Sequence, residues 1–214
     1  MFKVDLHTHS IISHDGGIDE GGYKTLLAKG VLDCVAITDH NKIGFAQKLA
    51  KTLGNRVIVG EEISTADGEI IGLFLQKRIE KGLGAKETAS AIKKQNGLVY
   101  IPHPYETVRD GISAETLEGL TSIVDIIEVF NSRTLEPATR SLALAFAKKH
   151  KLAVASASDA HGYRAIGNAY SILSKMPTRE NLVELLQKGD LEKEAAGILA
   201  RLTPKLNKLK KLLT

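Results

Sequence analysis

The sequence predicts an α/β barrel, a sheet closed on itself with helices packed outside it. Short apolar, β-branched runs alternate with longer amphipathic stretches along most of the 214 residues. That alternation builds parallel strands joined by crossover helices. About seven such runs occur without a glycine-rich nucleotide fingerprint, which favours closure over an open, doubly wound sheet. No internal repeat, low-complexity tract or long linker divides the chain. One domain is therefore expected over 1–214, with a core over about 1–190 and an amphipathic helical segment over 191–214.

Taken in order, the strands fall at 3–6, 34–37, 56–59, 69–75, 98–101, 125–130 and 153–156. Helical patterns lie between them at 19–29, 42–53, 86–95, 114–120 and 136–149, followed by 181–188 and the C-terminal tail. Gly30, Gly54 and Gly97 stand where helices should end, the position that favours a left-handed residue. Around Asp67-Gly68 two strands are expected to follow one another as a hairpin.

Composition narrows the function classes. Hydrophobic residues make up 43% and charged residues 25%, ordinary for a water-soluble domain. No apolar run reaches the length of a membrane span, and the first six residues lack the apolar core of a signal peptide. Cys34, the single cysteine, lies in an apolar run and reads as a buried thiol rather than a nucleophile. Together these features predict a cytoplasmic protein with no membrane partner. The net charge of +4 owes much to Lys205, Lys208, Lys210 and Lys211, interleaved with Leu206, Leu209, Leu212 and Leu213. That spacing predicts a terminal docking helix with a basic outer face, packed on the barrel or on another subunit.

The chemistry lies where histidines and acids fall. His7 and His9 follow the first strand, Asp39 and His40 the second, and Glu61 and Glu62 the third. His103 follows the strand at 98–101, Glu128 lies within 125–130, and Asp159 and His161 follow the strand at 153–156. In a barrel of this kind the C-terminal ends of the strands share one rim, where active sites sit. His-x-His on an extended segment turns both rings to one side. Imidazole with carboxylate suits zinc, manganese or iron, and a carboxylate bridging two ions would hold them about 3.5–4 Å apart. Each piece alone has a plainer reading. Asp39 could cap the following helix, Glu61-Glu62 could be a solvated pair, and His103-Pro104 could be a packed turn. Their coincidence at matching strand ends favours a metal centre.

The blocks His7-Thr8-His9-Ser10, Thr38-Asp39-His40-Asn41, His103-Pro104 and Ser158-Asp159-Ala160-His161 resemble, in order, the signature of the polymerase-and-histidinol-phosphatase (PHP) superfamily. The resemblance covers residues 5 to about 170. It implies a distorted (β/α)7 barrel with a bi- or trinuclear metal site that hydrolyses phosphoesters. His7, His9, His40, His103, Asp159 and His161 match metal ligands, and Glu62 matches the bridging carboxylate. Asp15 matches the ligand after the first histidine pair, with His14 beside it as the alternative. Asp39 is expected to orient an imidazole, and Asp39, Glu62 and Asp159 are the expected catalytic carboxylates. Glu69 stands where many small members carry histidine. It either serves as an oxygen ligand or leaves the third metal position weak.

Two or three divalent ions are thus the expected cofactors, and Arg133 and Arg109 are candidate contacts to a substrate phosphate, or else surface ion-pair residues. A small phosphorylated molecule is the favoured substrate. A nuclease acting on DNA or RNA has the basic tail in its favour, but no tryptophan and only five tyrosines and five phenylalanines to stack bases. A non-catalytic, metal-stabilised module ranks last, because nearly the whole ligand set is present.

Overall fold

Nine strands form a single nearly closed, barrel-shaped sheet in the computed structural model, which describes residues 1–213. In chain order the elements are β1 (Phe2–Thr8), α1 (Glu20–Ala28), β2 (Cys34–Ile37), α2 (Gly44–Leu53), β3 (Val57–Thr65), β4 (Gly68–Leu73), α3 (Ala85–Lys94) and β5 (Leu98–Ile101). There follow α4 (Ala114–Gly119), β6 (Ile126–Asn131), α5 (Pro137–His150), β7 (Ala153–Ala157), β8 (Ala169–Leu173), α6 (Leu182–Lys188), β9 (Asp190–Lys193) and α7 (Ile198–Leu212). The strands lie in the order β7-β6-β5-β4-β3-β2-β1-β8-β9. Past β7, Ala160 bridges to Thr8 in parallel, and Ser158 donates from its backbone and hydroxyl to Asp5 of β1. These contacts draw the seventh strand onto the first.

The expected strands and helices are all present, and the expected hairpin at Asp67-Gly68 sets β4 antiparallel to its neighbours. Two features differ from expectation. β8 and β9, absent from the expectation, add two antiparallel strands beside β1. β9 is a short polar edge, Asp-Leu-Glu-Lys, whose composition hides its strand character and which opens the segment expected to be helical. Finally, the left-handed residue after α3 is Asn96 rather than Gly97. A side chain at Gly97 would instead crowd Ile92 and a Leu73 carbonyl.

Alternation along the strands divides the core. Val4, Leu6, Cys34, Ala36, Ile58, Ile71, Leu73, Tyr100 and Ile126 belong to one cluster. Ile63, Ile70, Ile92, Val99, Ile101 and Ile127 build another with α3 and α5 residues. Each such leucine or isoleucine withdrawn from water contributes roughly 1.5–3 kcal/mol. Cys34 is buried, and burial pushes its thiol up to about 12, consistent with an inert structural role. Among the described residues no helix is long and apolar enough to cross a membrane.

The terminal helix keeps Lys205, Lys208 and Lys210 on its outer side as expected, but Lys211 turns inward and the leucines do not make the docking face. Ala200, Pro204, Asn207 and Lys211 turn towards the barrel, while Leu202, Leu206 and Leu209 are 43%, 59% and 55% exposed. At about 100° per residue these sets lie on roughly opposite faces. Ala200 packs in an apolar cluster with Ile18, Tyr23 and Ala160, and further along α7 loop carbonyls take the donors of the helix.

Candidate metal centre

Every histidine and acid expected at the strand ends reaches one rim, and all but Glu61 and Asp39 turn inward to a common cavity. His7 lies in β1 and His9 two residues on, so the extended backbone sends both rings the same way. Their Nε2 atoms are 3.1 Å apart. Glu62 sits inside β3, which runs on to Thr65 rather than ending before it. Its Oε1 lies 3.3 Å from His7 Nε2 and 3.2 Å from His103 Nε2, and its Oε2 lies 3.2 Å from His9 Nε2 and 3.3 Å from His40 Nδ1. Asp159 Oδ1 is 3.6 Å from His7 Nε2 and 3.4 Å from His9 Nε2. His103 and Asp159 both adopt left-handed backbone, φ 28° and 50°. Such conformations cost a non-glycine residue about 1–3 kcal/mol and persist where the surroundings fix them.

Four overlapping groups of ligand atoms result: His9, Asp15, His40 and His161; His7, Glu62 and His103; His7, His9 and Asp159; and His40, Glu62 and Glu69. Glu69 Oε1 is 3.2 Å from His40 Nδ1. Asp15 Oδ2 lies 3.1 Å from His161 Nε2 and 3.7 Å from His40 Nε2, whereas the His14 side chain is 54% exposed and belongs to none of the groups. An ion held at about 2.0–2.2 Å by four tetrahedral nitrogen and oxygen ligands keeps those ligands roughly 3.3–3.6 Å apart. The distances around Glu62, His7, His9 and Asp159 lie close to that window.

The proton inventory also fits a cation. His7 Nδ1 donates to Glu128 Oε1 at 3.1 Å, and His161 Nδ1 donates to the Asp159 carbonyl at 2.9 Å. Burial opposes charge on His7, but without a metal Glu62, Asp159 and Glu128 hold the ring in its charged form, so a cation would displace the Nε2 proton and take up that lone pair. His161 Nε2 is buried and has no well-directed hydrogen bond. Burial opposes ionisation of Glu62 and Asp159, yet the charges of His7 and His40 on the first and of Arg133 and His7 on the second hold both carboxyls well below their usual range. Burial opposes the charge on His40, but Glu62, with Glu69 and Asp15, overcomes it and lifts the ring to about 10. The cavity is a place where positive charge is stabilised.

Two expected roles need correction. Asp39 does not orient an imidazole: Oδ1 accepts from the Ser10 backbone at 2.7 Å and Oδ2 from the Ser10 hydroxyl at 2.5 Å. It braces the loop between His9 and Asp15, and it caps no helix, since Ile43 precedes α2. Glu61 is buried but points away from the cavity, with Oε2 accepting from the Ile79 backbone at 2.8 Å.

Both arginines reach the rim. Arg109 and Arg133 donate to Asp159 Oδ2, leaving Oδ1 to the histidines, and each side chain is 16% exposed. With Asp15, His40 and Glu69 they mark the open side of the cavity. Glu128, noticed in the sequence but given no role, proves the best-connected support. It also accepts from Tyr100 Oη at 2.6 Å, from the His103 backbone at 2.7 Å and from Asn131 Nδ2 at 2.9 Å. A lone acid within Ile126–Asn131 was the available signal; nothing in the sequence pointed to Tyr100.

Comparison with known proteins agrees with this geometry. A family described as PHP-associated matches residues 137–191. Uncharacterized protein MJ0417 of Methanocaldococcus jannaschii is 38% identical over 188 residues, 81% of this chain and 71% of its own. Uncharacterized protein MJ1587 of the same organism is 37% identical over 156 residues, 66% of this chain and 89% of its own. Among solved structures, a two-domain protein from Bacteroides vulgatus containing a predicted PHP-like metal-dependent phosphoesterase aligns with a TM-score of 0.71 at 19% identity. It covers 97% of this chain and 69% of that one. PsfC from Pseudomonas syringae aligns at 0.65 and 15% identity, covering 100% and 99%. At such identities the structural likeness speaks for the fold.

Proposed function

Because the chain belongs to the PHP superfamily, we propose that it is a metal-dependent phosphoesterase acting on a small phosphorylated molecule or nucleotide. The observation that carries the reading is Glu62, one carboxylate within 3.3 Å of four imidazoles from three separate segments. The residues fit two or three divalent ions of zinc, manganese or iron. His7, His103, Asp159 and Glu62 would hold the inner part of the cluster, Asp15, His40, His161 and Glu69 the outer part, and His9 lies within reach of both. When bound, such ions lower the pKa of water towards neutrality and neutralise phosphoryl oxygens.

The protein residues position the reaction. Glu128 fixes the tautomer of His7 and the backbone of His103. Arg109 and Arg133 stand at the mouth, where a guanidinium fork can hold phosphate oxygens against the cluster. Asp159 restrains both forks until a substrate anion competes for them. Asp39 keeps the Ser10 loop in place. No covalent phosphoenzyme is required, and burial of the ligands limits access of bulk water.

Phosphate release from a panel of monoesters, diesters and oligonucleotides, with manganese or zinc added and then chelated, tests the proposal. Hydrolysis that follows the metal and prefers a small ester supports it. Preference for oligonucleotides moves the activity to a nuclease, and no hydrolysis with any ion refutes the catalytic reading.

A further inference from the structure

The loop that carries Asp15 is held from outside the barrel. Asn207 Nδ2 donates to two carbonyls at once, those of Asp15 and His161, each at 2.9 Å. One turn further along α7, Lys211 Nζ donates to the carbonyls of Ile11 at 2.6 Å, Ser13 at 2.5 Å and Gly16 at 2.7 Å. An ammonium has three protons, and all three are used here. The amide therefore ties together the backbones of two residues from the same ligand group, and the ammonium fixes the turn between His9 and Asp15.

Two glycines make the approach possible. A Cβ on Gly17 would lie 2.8 Å from Asn207 Nδ2, and one on Gly162 would lie 2.8 Å from Thr203 Cγ2. One glycine sits two residues after Asp15 and the other directly after His161, so both ligand segments are cut to admit the same helix. Other bonds hold the loop nearer its start, through Ser10 to Asp39 and Ile12 to Lys42, while at Asp15 itself Ser13 Oγ donates to Oδ1 at 3.1 Å.

We propose that Asn207 and Lys211 are positioning residues for the outer metal ion, the one taken by His9, Asp15, His40 and His161. The inference rests on the metal-centre reading above. They touch no ligand atom and act through the backbone, as outer supports of metal sites do, where loss of a partner commonly costs ten- to a hundredfold in affinity. The cluster formed by His7, Glu62, His103 and Asp159 has no contact with either residue and is independent of them.

The test is a titration of metal-free protein with cobalt(II), counting bound ions by equilibrium dialysis and following the visible absorption of each. Asn207→Leu keeps the size and removes the donors, Lys211→Met keeps the stem, and Lys211→Arg returns donors to the same place. Lys208→Met, on the exposed side of α7, is the control. The expected result is that Asn207→Leu and Lys211→Met bind one cobalt ion ten- to a hundredfold more weakly and keep the others, with Lys211→Arg recovering part of the loss. The metal-free variants should unfold at the temperature of the Lys208→Met control. Wild-type affinity for every ion in both variants would overturn the inference while leaving the metal centre intact. So would loss of all ions together with a lowered unfolding temperature, the mark of a general structural role. If the wild type itself takes up no cobalt, the metal-centre reading fails first.

Discussion

Glu62 Oε1 and His7 Nε2 face each other at 3.3 Å in the fully buried heart of the rim, one from β3 and the other from β1. Without a cation between them, four carboxylates and five imidazoles would share this space. Two or three cations would give the lone pairs directed inward their partners. Glu62→Gln keeps the shape but removes the charge that faces four rings. The variant is expected to retain at least one metal ion fewer per chain and to hydrolyse esters more than about 100-fold more slowly, the loss typical of a group that organises transition-state charge. Parallel metal analysis and kcat measurements check this.

Glu128 touches no candidate substrate position, yet it takes the His7 Nδ1 proton. Glu128→Gln can place a donor against that ring instead of an acceptor. Metal affinity, read by competition with a chelator, should fall about 10–100-fold while the circular-dichroism spectrum is unchanged. Unaltered affinity would show that the tautomer of His7 is set elsewhere.

The arginines at the mouth should separate binding from cluster assembly. Arg133→Met is expected to leave metal content as in wild type and to lower kcat/KM about 10–100-fold, in line with a charged hydrogen bond worth roughly 1.5–3 kcal/mol. Arg133→Lys should restore only part, because a point charge cannot replace a planar fork. Equal loss of metal in Arg133→Met would place the residue in the cluster's support instead.

Glu61 supplies a pH dependence outside the cavity. Burial, opposed by its bond to the Ile79 backbone, pushes its carboxyl from 4.5 up to about 7. A carboxyl raised in the folded state favours folding most at low pH, and this contribution is lost as pH rises through about 7. The difference in stability between Glu61→Gln and wild type should therefore be small at pH 4.5 and should grow by about 1–2 kcal/mol in favour of the variant by pH 8. Urea unfolding at the two pH values measures it; a difference independent of pH would contradict the account.

Much of the fold and of the candidate site was legible in the chain, for physical reasons that also mark the limits. His7-x-His9, Asp39-His40 and Asp159-x-His161 sit immediately after β-branched runs, so strand ends and chemistry are written in the same few residues. β4 and its antiparallel hairpin were visible too, because Asp67-Gly68 between two apolar runs is a turn signal. β9 was hidden because an edge strand needs no apolar face. Asp39 and Glu128 were visible as acids, whereas their partners, Ser10 and the pair His7 and Tyr100, depend on how distant strands align in register. The orientation of α7 was misjudged for a related reason. Leucine spacing states which residues share a face, but the barrel surface decides which face is buried, and here that surface offers loop carbonyls beside a small apolar cluster.

Metal content of the purified chain, determined by elemental analysis after dialysis against trace manganese, zinc and iron, tests the central claim most directly. The account predicts two or three divalent ions per chain, reduced in Glu62→Gln. A well-folded protein that retains none of the three metals would contradict it and leave the buried histidines and carboxylates as a structural ion network.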